Sequence, residues 1–283
     1  MAQSQAPNRE FHFEKKDFDF IVAFIKERAG ISLAANKQQM VYGRLSRRLR
    51  ALKMSSFGEY CEFISSPQGN DELFLFLNAL TTNLTRFFRE AHHFEHLAST
   101  VIPGKIQQAR AGAARRIRIW SAGSSTGEEP YSTAMVLLGA LNDITLWDAR
   151  ILATDIDTNV LKTCREGVYD TEKIKDVPKE LRRRFIKPLA ADSGKVRMSE
   201  ALRSLIVFKS LNLHGRWPMK GPFDVIFCRN VIIYFDKPTQ QKLIDRFADI
   251  LSDDGFLYVG HSENLFNITK RFRLIGKSVY KKA

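Results

Sequence analysis

At 283 residues with 44% apolar side chains, the chain is large enough for two domains, or one large one with an appendage, and too apolar for a disordered protein. Its 44 Lys and Arg against 31 Asp and Glu leave a net charge of +13, which points to an acidic partner: nucleic acid, an anionic membrane or an acidic protein surface. The polar start (Met1 to Glu10) lacks the apolar segment of a signal peptide, and stretches such as Ala134 to Leu141 are too short to span a bilayer. The three cysteines, Cys61, Cys164 and Cys228, lack metal-type spacing. A soluble cytoplasmic protein with reduced thiols is expected.

Helical periodicity dominates the first part of the chain. Phe18, Ile21, Val22 and Ile25 recur at helix spacing and Gly30 closes the segment. Between Lys37 and Lys53, Val41, Leu45, Leu49 and Leu52 form one apolar stripe, with Arg44, Arg47 and Arg48 in a second stripe beside it. That basic face is either solvated or a docking face for an acidic helix or phosphates. The absence of interleaved aromatic residues favours an acidic protein over single-stranded nucleic acid. Two further helices are expected over Phe57 to Ile64 and Glu72 to Leu80. A donor-rich segment follows, Thr81-Thr-Asn-Leu-Thr-Arg-Phe-Phe-Arg-Glu90. His92 and His96 lie one helical turn apart, but no third ligand accompanies them, so packed or surface histidines and no metal are expected.

From Ile117 the pattern changes to strand, turn and helix. Ile117-Arg-Ile-Trp-Ser-Ala-Gly-Ser-Ser-Thr-Gly127 alternates and then breaks at two glycines four apart. Pro130 and a long apolar helical run, Tyr131 to Leu141, come next. A second strand, Ala149 to Asp157, ends in acid. Asp155 stands where ribose hydroxyls are commonly accepted, or else serves as a local cap, and Asp157 suits the N-cap of a helix over Val160 to Glu166. Gly167 to Asn212 interrupts the rhythm, with alternating stretches at Lys195 to Met198 and Leu205 to Phe208 around a turn at 190–194, which suggests a small inserted β-hairpin. Strands at Phe223 to Cys228 and Phe256 to Val259, a helix at Thr239 to Leu251 and a hairpin over Phe272 to Tyr280 complete the pattern. The groups at the strand ends are Gly123 to Gly127, Asp155, Cys228-Arg229-Asn230 and His261-Ser262, with Tyr234 close behind.

Such a layout serves a dinucleotide or S-adenosylmethionine. The turn lacks the third glycine of GxGxxG, and Glu128 and Glu129 would repel a pyrophosphate at the helix start. No Walker-A pattern is present, so nucleotide triphosphate hydrolysis is not expected. A ligand bearing an ammonium and a sulfonium tolerates those acids.

These residues resemble the CheR family of chemotaxis receptor methyltransferases over nearly the whole chain. The match rests on Ala79-Leu-Thr-Thr-Asn-Leu-Thr-Arg-Phe-Phe-Arg-Glu90, Ser125-Thr-Gly-Glu-Glu-Pro-Tyr-Ser132, Thr154-Asp-Ile-Asp157, Ile226-Phe-Cys-Arg-Asn-Val231 with Tyr234-Phe-Asp236, and Gly260-His-Ser-Glu263. The resemblance implies an α/β fold: a Rossmann-like S-adenosylmethionine methyltransferase domain with a small inserted antiparallel β-subdomain, preceded by an all-α N-terminal domain. The expected division is a disordered tail at 1–13, the helical domain at 14–81, a linker at 82–101 that contributes to the site, and the catalytic domain at 102–283 with its insertion at about 167–211. It implies methyl transfer from S-adenosyl-L-methionine to glutamate side chains of chemoreceptors, giving γ-methyl esters and S-adenosyl-L-homocysteine without a metal. Arg89 and Tyr234 would stand at the reacting end. Asn83, Thr85, Arg89, Glu129, Asp155, Asn212, Leu213, Arg229 and Asn230 would contact the cofactor, at a junction between the domains. Arg44, Arg47 and Arg48 would face the receptors' acidic methylation helices. The implied partners are the receptors, with a carboxy-terminal peptide tether in some members. Nucleic acid is not expected, a membrane is met only through the receptors, and the protein is expected to be a monomer. The rivals are a methyltransferase acting on another acidic protein, on nucleic acid or on small molecules, or a basic binding module without chemistry.

Overall fold

The computed structural model describes residues 9–190 and 193–283, in two units that divide between Thr82 and Asn83. In the first unit, α1 (Lys15–Ala29) starts at a reciprocal cap, in which the Glu14 side chain and Asp17 satisfy each other's backbone, and stops at Gly30 with φ 73°. The periodic stripe of α2 (Gln38–Leu52) is the seam of this unit, because Val41, Leu45 and Leu49 are fully buried. Ser56 caps α3 (Phe57–Ser65) by accepting from Glu59 N. Helix α4 (Asn70–Leu80) packs on α2, and α3 packs on α1.

Residues 9–13 of the tail expected at 1–13 are part of the folded unit. Phe11 and Phe13 are buried, Phe13 lies 4.3 Å from the Phe57 ring, and Phe57 N donates to His12 O at 3.1 Å. Two aromatic side chains repay the ordering of this short segment. Residues 1–8 lie outside the described residues.

The second unit begins with the expected linker, which is largely structured. After an irregular stretch, α5 (His92–His96), a π-helical turn (Leu97–Val101) and α6 (Ile102–Arg110) run on from one another, and Phe94, Leu97, Val101 and Ile102 are in the core. Pro103 is tolerated at the start of α6, directly after the widened turn, where the ordinary hydrogen-bond ladder is already interrupted. The remaining elements are β1 (Arg116–Ala122), α7 (Glu128–Ala140), β2 (Asp148–Asp155), α8 (Thr158–Glu166), β3 (Val168–Asp170), α9 (Lys179–Phe185), β4 (Ile186–Pro188), β5 (Lys195–Met198), α10 (Glu200–Arg203), β6 (Ile206–Ser210), β7 (Phe223–Cys228), α11 (Lys237–Ile250), β8 (Leu251–Val259), β9 (Phe272–Gly276) and β10 (Val279–Lys282).

The main sheet has the order β6-β2-β1-β7-β8-β10-β9. Its first five strands are parallel and the terminal hairpin closes it antiparallel. Strand β7 is buried at every position, as expected of a strand covered on both faces. The chain leaves β1 toward β2 and later returns to its other side with β7, so the strand order reverses at β1 and a crevice opens at its carboxyl end.

The insertion is smaller than 167–211. Strands β3, β5 and β4 form their own three-stranded antiparallel sheet, whereas β6 pairs in parallel with β2 from Ile151↔Ile206 to Asp155↔Ser210. The turn expected at 190–194 falls partly outside the described residues.

Candidate active site

The two loop glycines take backbone conformations that other residues avoid: Gly123 has φ 93° and Gly127 φ 100°. A Cβ on Gly123 would lie 2.4 Å from Val231 Cγ2, and one on Gly127 would lie 2.6 Å from the Tyr169 hydroxyl. The loop between them therefore runs against the end of β7 and against the inserted sheet. Asp155 holds the loop from β2: its Oδ2 accepts from Ser125 N at 2.8 Å and its Oδ1 from Asp157 N at 2.9 Å. Burial pushes the Asp155 carboxyl up to about 6, against these backbone donors. Asp157 caps α8 by accepting from Asn159 N, as its position suggested. Its other oxygen takes the Asn83 amide at 2.7 Å, and Ser125 Oγ donates to Asn83 O at 2.9 Å, so Asn83 is fastened to the glycine loop.

A second cluster surrounds Arg229, which is buried at the end of β7. Its Nη1 donates to Glu129 Oε2 at 3.2 Å, its Nε to Glu90 Oε2 at 3.3 Å, and its Nη2 to the Arg89 carbonyl. Glu129 also accepts from Ser121 Oγ at 2.7 Å; burial raises its carboxyl even so, against the pull of Arg229. Burial works on Glu90 in the same sense but is outweighed. The His261 hydrogen bonds and Arg229 hold that carboxyl below its ordinary range. Two carboxylates thus share one guanidinium. Glu128, expected to add to this negative charge, is instead buried and paired with Lys173 Nζ at 3.1 Å.

The turn that carries Arg89 is bent to fit. Phe88 and Glu90 on either side of it have φ 52° and 56°, left-handed values that cost non-glycine residues free energy and persist only when neighbours hold them. Phe88 N donates to Ser132 Oγ at 3.0 Å, and the Phe87 ring meets Tyr169 edge-on. Arg89 itself is half-buried and donates only Nη1, to Leu84 O at 3.0 Å, among the described residues. Thr85 lies half-buried on the same stretch.

Past β7, Asn230 has φ 58°, and its N–H donates to the buried Glu263 at 2.8 Å. Tyr234 ends the 3-10 turn Ile232–Tyr234, half-buried, with a hydroxyl that makes no hydrogen bond among the described residues. Asn212 and Leu213 follow β6, where Leu211 N donates to Asp155 O at 2.9 Å. Leu213 O accepts from Trp217 Nε1 and Arg246 Nη1. Asp155, Asn212, Leu213, Arg229 and Asn230 therefore lie at the ends of β2, β6 and β7, Glu129 is tied to Ser121 of β1, and Asn83 and the Arg89 carbonyl are tied to this group. Glu90 and Glu263 are not among the expected site residues, although each ends a motif that carries the family resemblance.

The basic stripe of α2 does not act as one face. Arg44 Nη1 donates to Leu80 O at 2.8 Å and Thr81 O at 2.7 Å, and so caps α4. Arg48 forms a two-pronged pair with the buried Glu72 at 2.8 Å on each prong. Arg47 is exposed and has no partner among the described residues. The histidines also have structural work. The His93 ring is buried, stacked on Tyr258 and held neutral by burial, with a value near 3, while His96 Nδ1 meets the Tyr258 hydroxyl at 2.7 Å. Glu90, His92 and His93 bring ligand-type atoms within 4.8 Å of one another, but Glu90 is already committed to Arg229 and His261.

Two family models match the chain: "CheR methyltransferase, all-alpha domain" over residues 16–81 and "CheR methyltransferase, SAM binding domain" over residues 83–281. Among curated proteins, "Chemotaxis protein methyltransferase 2" of Pseudomonas aeruginosa is 44% identical over 278 residues, covering 98% of this chain and 96% of that protein. "Probable chemotaxis protein methyltransferase" of Rhizobium etli is 46% identical over 255 residues, 89% of this chain and 94% of that one. "Chemotaxis protein methyltransferase" of Escherichia coli is 46% identical over 266 residues, 93% of this chain and 89% of that one. With both of its units matched and these relatives alike along nearly their whole length, the chain belongs to the CheR family of methyltransferases, with an all-α domain followed by an S-adenosylmethionine-binding domain.

Proposed function

We propose that this protein methylates glutamate side chains of chemoreceptors, forming γ-methyl esters. The observation that carries the reading is the charge imbalance around Arg229: Glu90 and Glu129 share one guanidinium, so the cluster suits a ligand with its own positive charge. The glycine loop admits a close approach of ligand to backbone, and Asp155 has lone pairs beyond those used by Ser125 and Asp157 for ribose hydroxyls. Asn83, Thr85, Glu129, Asp155, Asn212, Leu213, Arg229 and Asn230 would hold S-adenosylmethionine, which when bound supplies a methyl carbon activated by a sulfonium leaving group.

The chain's own task is then positional. A glutamate is ionised at neutral pH and is its own nucleophile, so no base has to be supplied. Arg89, with most of its guanidinium uncommitted, orients the carboxylate through charge-assisted hydrogen bonds. The unpaired Tyr234 hydroxyl donates to the same group or lies beside the methyl. Exclusion of water and alignment account for the rate. On the helical unit, Arg47 is the cation of α2 without a partner among the described residues, and it leads the contact with acidic receptor helices, with Arg44 and Arg48 behind it. The protein acts as a cytoplasmic monomer.

The test is transfer of labelled methyl from S-adenosylmethionine to receptor-bearing membranes, followed by mild alkali. Release of labelled methanol supports the ester. Alkali-stable label would sink it in favour of N- or C-methylation. No transfer despite tight S-adenosylhomocysteine binding would point to a binding-only protein.

A further inference from the structure

Two carboxylates outside the expected set converge on neighbouring amides. Glu90 Oε1 accepts from His261 N at 3.2 Å and from His261 Nδ1 at 2.9 Å, while its Oε2 takes Arg229. With Glu90 ionised, the His261 ring presents Nδ1–H. Glu263 Oε2 accepts from Gly260 N at 2.6 Å and Asn230 N at 2.8 Å, while its Oε1 takes Ile233 N at 3.2 Å. Gly260 and His261 are consecutive residues just past the end of β8. One short stretch of backbone therefore donates one amide to each carboxylate.

Each carboxylate is then one step from a reaction-end residue. Glu90 directly follows Arg89, and the guanidinium that Glu90 grips also holds the Arg89 carbonyl. Glu263 holds Ile233, which directly precedes Tyr234 in the same short turn. The brace has to be glycine: a Cβ on Gly260 would lie 2.9 Å from both Asn230 N and Glu263 Oε2. The left-handed backbone at Glu90 and Asn230 needs outside support, and these bonds provide it.

We propose that Glu90 and Glu263 are positioning residues for methyl transfer, which set Arg89 and Tyr234 against a common brace, the Gly260 and His261 amides. The proposal rests on the reading of Arg89 and Tyr234 given above. Neither carboxylate touches substrate; each acts through the residue beside it. Because both refer to one brace, their effects are coupled.

The experiment compares wild type, Glu90→Gln, Glu263→Gln and the double variant in single turnovers at saturating S-adenosylmethionine. Thermal midpoints and S-adenosylhomocysteine binding are measured alongside. Each Gln keeps an acceptor oxygen and loses the second, so the expected loss is in transfer rate, roughly tenfold to a hundredfold, from misalignment at the reacting end. Affinity for S-adenosylhomocysteine changes by less than the rate does. The double variant is slower than the worse single by no more than about threefold, well short of the product of the two losses. His261→Ala, which keeps the amide and loses only the ring bond, loses less rate than Glu90→Gln. Should either Gln variant fail to fold, Glu90→Asp and Glu263→Asp keep the charge and shift the oxygens, and the same rate loss is expected. Folded variants that turn over at the wild-type rate would overturn the proposal, as would losses that simply multiply. Wild-type protein that transfers no alkali-labile methyl would instead overturn the reading beneath it.

Discussion

Arg48 in the helical unit grips a buried carboxylate and Arg229 at the end of β7 grips two half-buried ones. Arg48 meets Glu72 prong for prong, Tyr60 adds a hydroxyl at 3.0 Å, and the charges close one to one. Arg229 is divided between Glu129, Glu90 and a backbone carbonyl, so two carboxyls share one cation. A closed pair holds helices together; an unbalanced cluster is a place for something charged to arrive. Side-chain type alone does not separate the two, whereas the ratio of acids to cations does.

The strongest way to break this contrast is Arg229→Met, which leaves two half-buried carboxylates facing each other. A stability loss of about 3–5 kcal/mol in denaturant melts, with methyl transfer abolished, is expected. Arg229→Lys restores charge but not the three-way fork, so stability recovers further than rate does. Next in size is Arg48→Met. It strands Glu72, and the partial exposure of Arg48 limits the cost to about 2–3 kcal/mol, read as a lower thermal midpoint. S-adenosylhomocysteine affinity, measured below that midpoint, should not move. If it does, the closed pair is not closed.

Asp155 sharpens the contrast through pH. Its folded-state value near 6 lies above the ordinary 3.8, so between those values the folded protein binds the proton and the unfolded chain does not. Stability of the unliganded protein therefore gains from this group as pH falls through 6, while its strength as an acceptor of ribose hydroxyls falls with the loss of charge. S-adenosylhomocysteine affinity should drop about tenfold from pH 7 to pH 5, and Asp155→Asn should flatten that slope. The smallest effect is Arg47→Glu. Stability stays within about 0.5 kcal/mol of wild type, while KM for receptor rises and loses its dependence on salt.

Much of this site is legible in the sequence because its signals are local. Two glycines after an alternating run, an acid ending the next strand and Asp157 before a helix each report a nearby backbone requirement. The errors arose where distant pairing decides. Leu205 to Phe208 alternates as a hairpin strand does, and only its register against Ile151 and Asp155 assigns it to the main sheet. Glu90 and Glu263 close two of the motifs that carry the family resemblance, but what they hold is not legible there, since Arg229 lies 139 residues from Glu90 and Asn230 lies 33 from Glu263. The arginine stripe of α2 is correct as periodicity. That two of its three members are already engaged depends on Glu72 and on the end of α4, which helix spacing does not encode.

The three-stranded insertion leaves and rejoins the main sheet at a narrow stem. Met198 N donates to Gly167 O at 2.9 Å, and Arg203 Nη2 reaches Arg165 O at 3.4 Å, so its two ends are clasped side by side. An appendage mounted in this way is exchangeable. Its outer residues can be rewritten, or its hairpins lengthened, without sliding β6 along β2. The limit on such grafting lies on its inner face. Tyr169, Phe185 and Met198 are built into the core, and the Tyr169 hydroxyl holds Thr126 O in the glycine loop at 2.7 Å. A transplanted module has to keep these anchors, with Ile174, Val177, Ile186 and Val196 beside them in the core and the Lys173 pairing to Glu128, and only its outer residues are open to change.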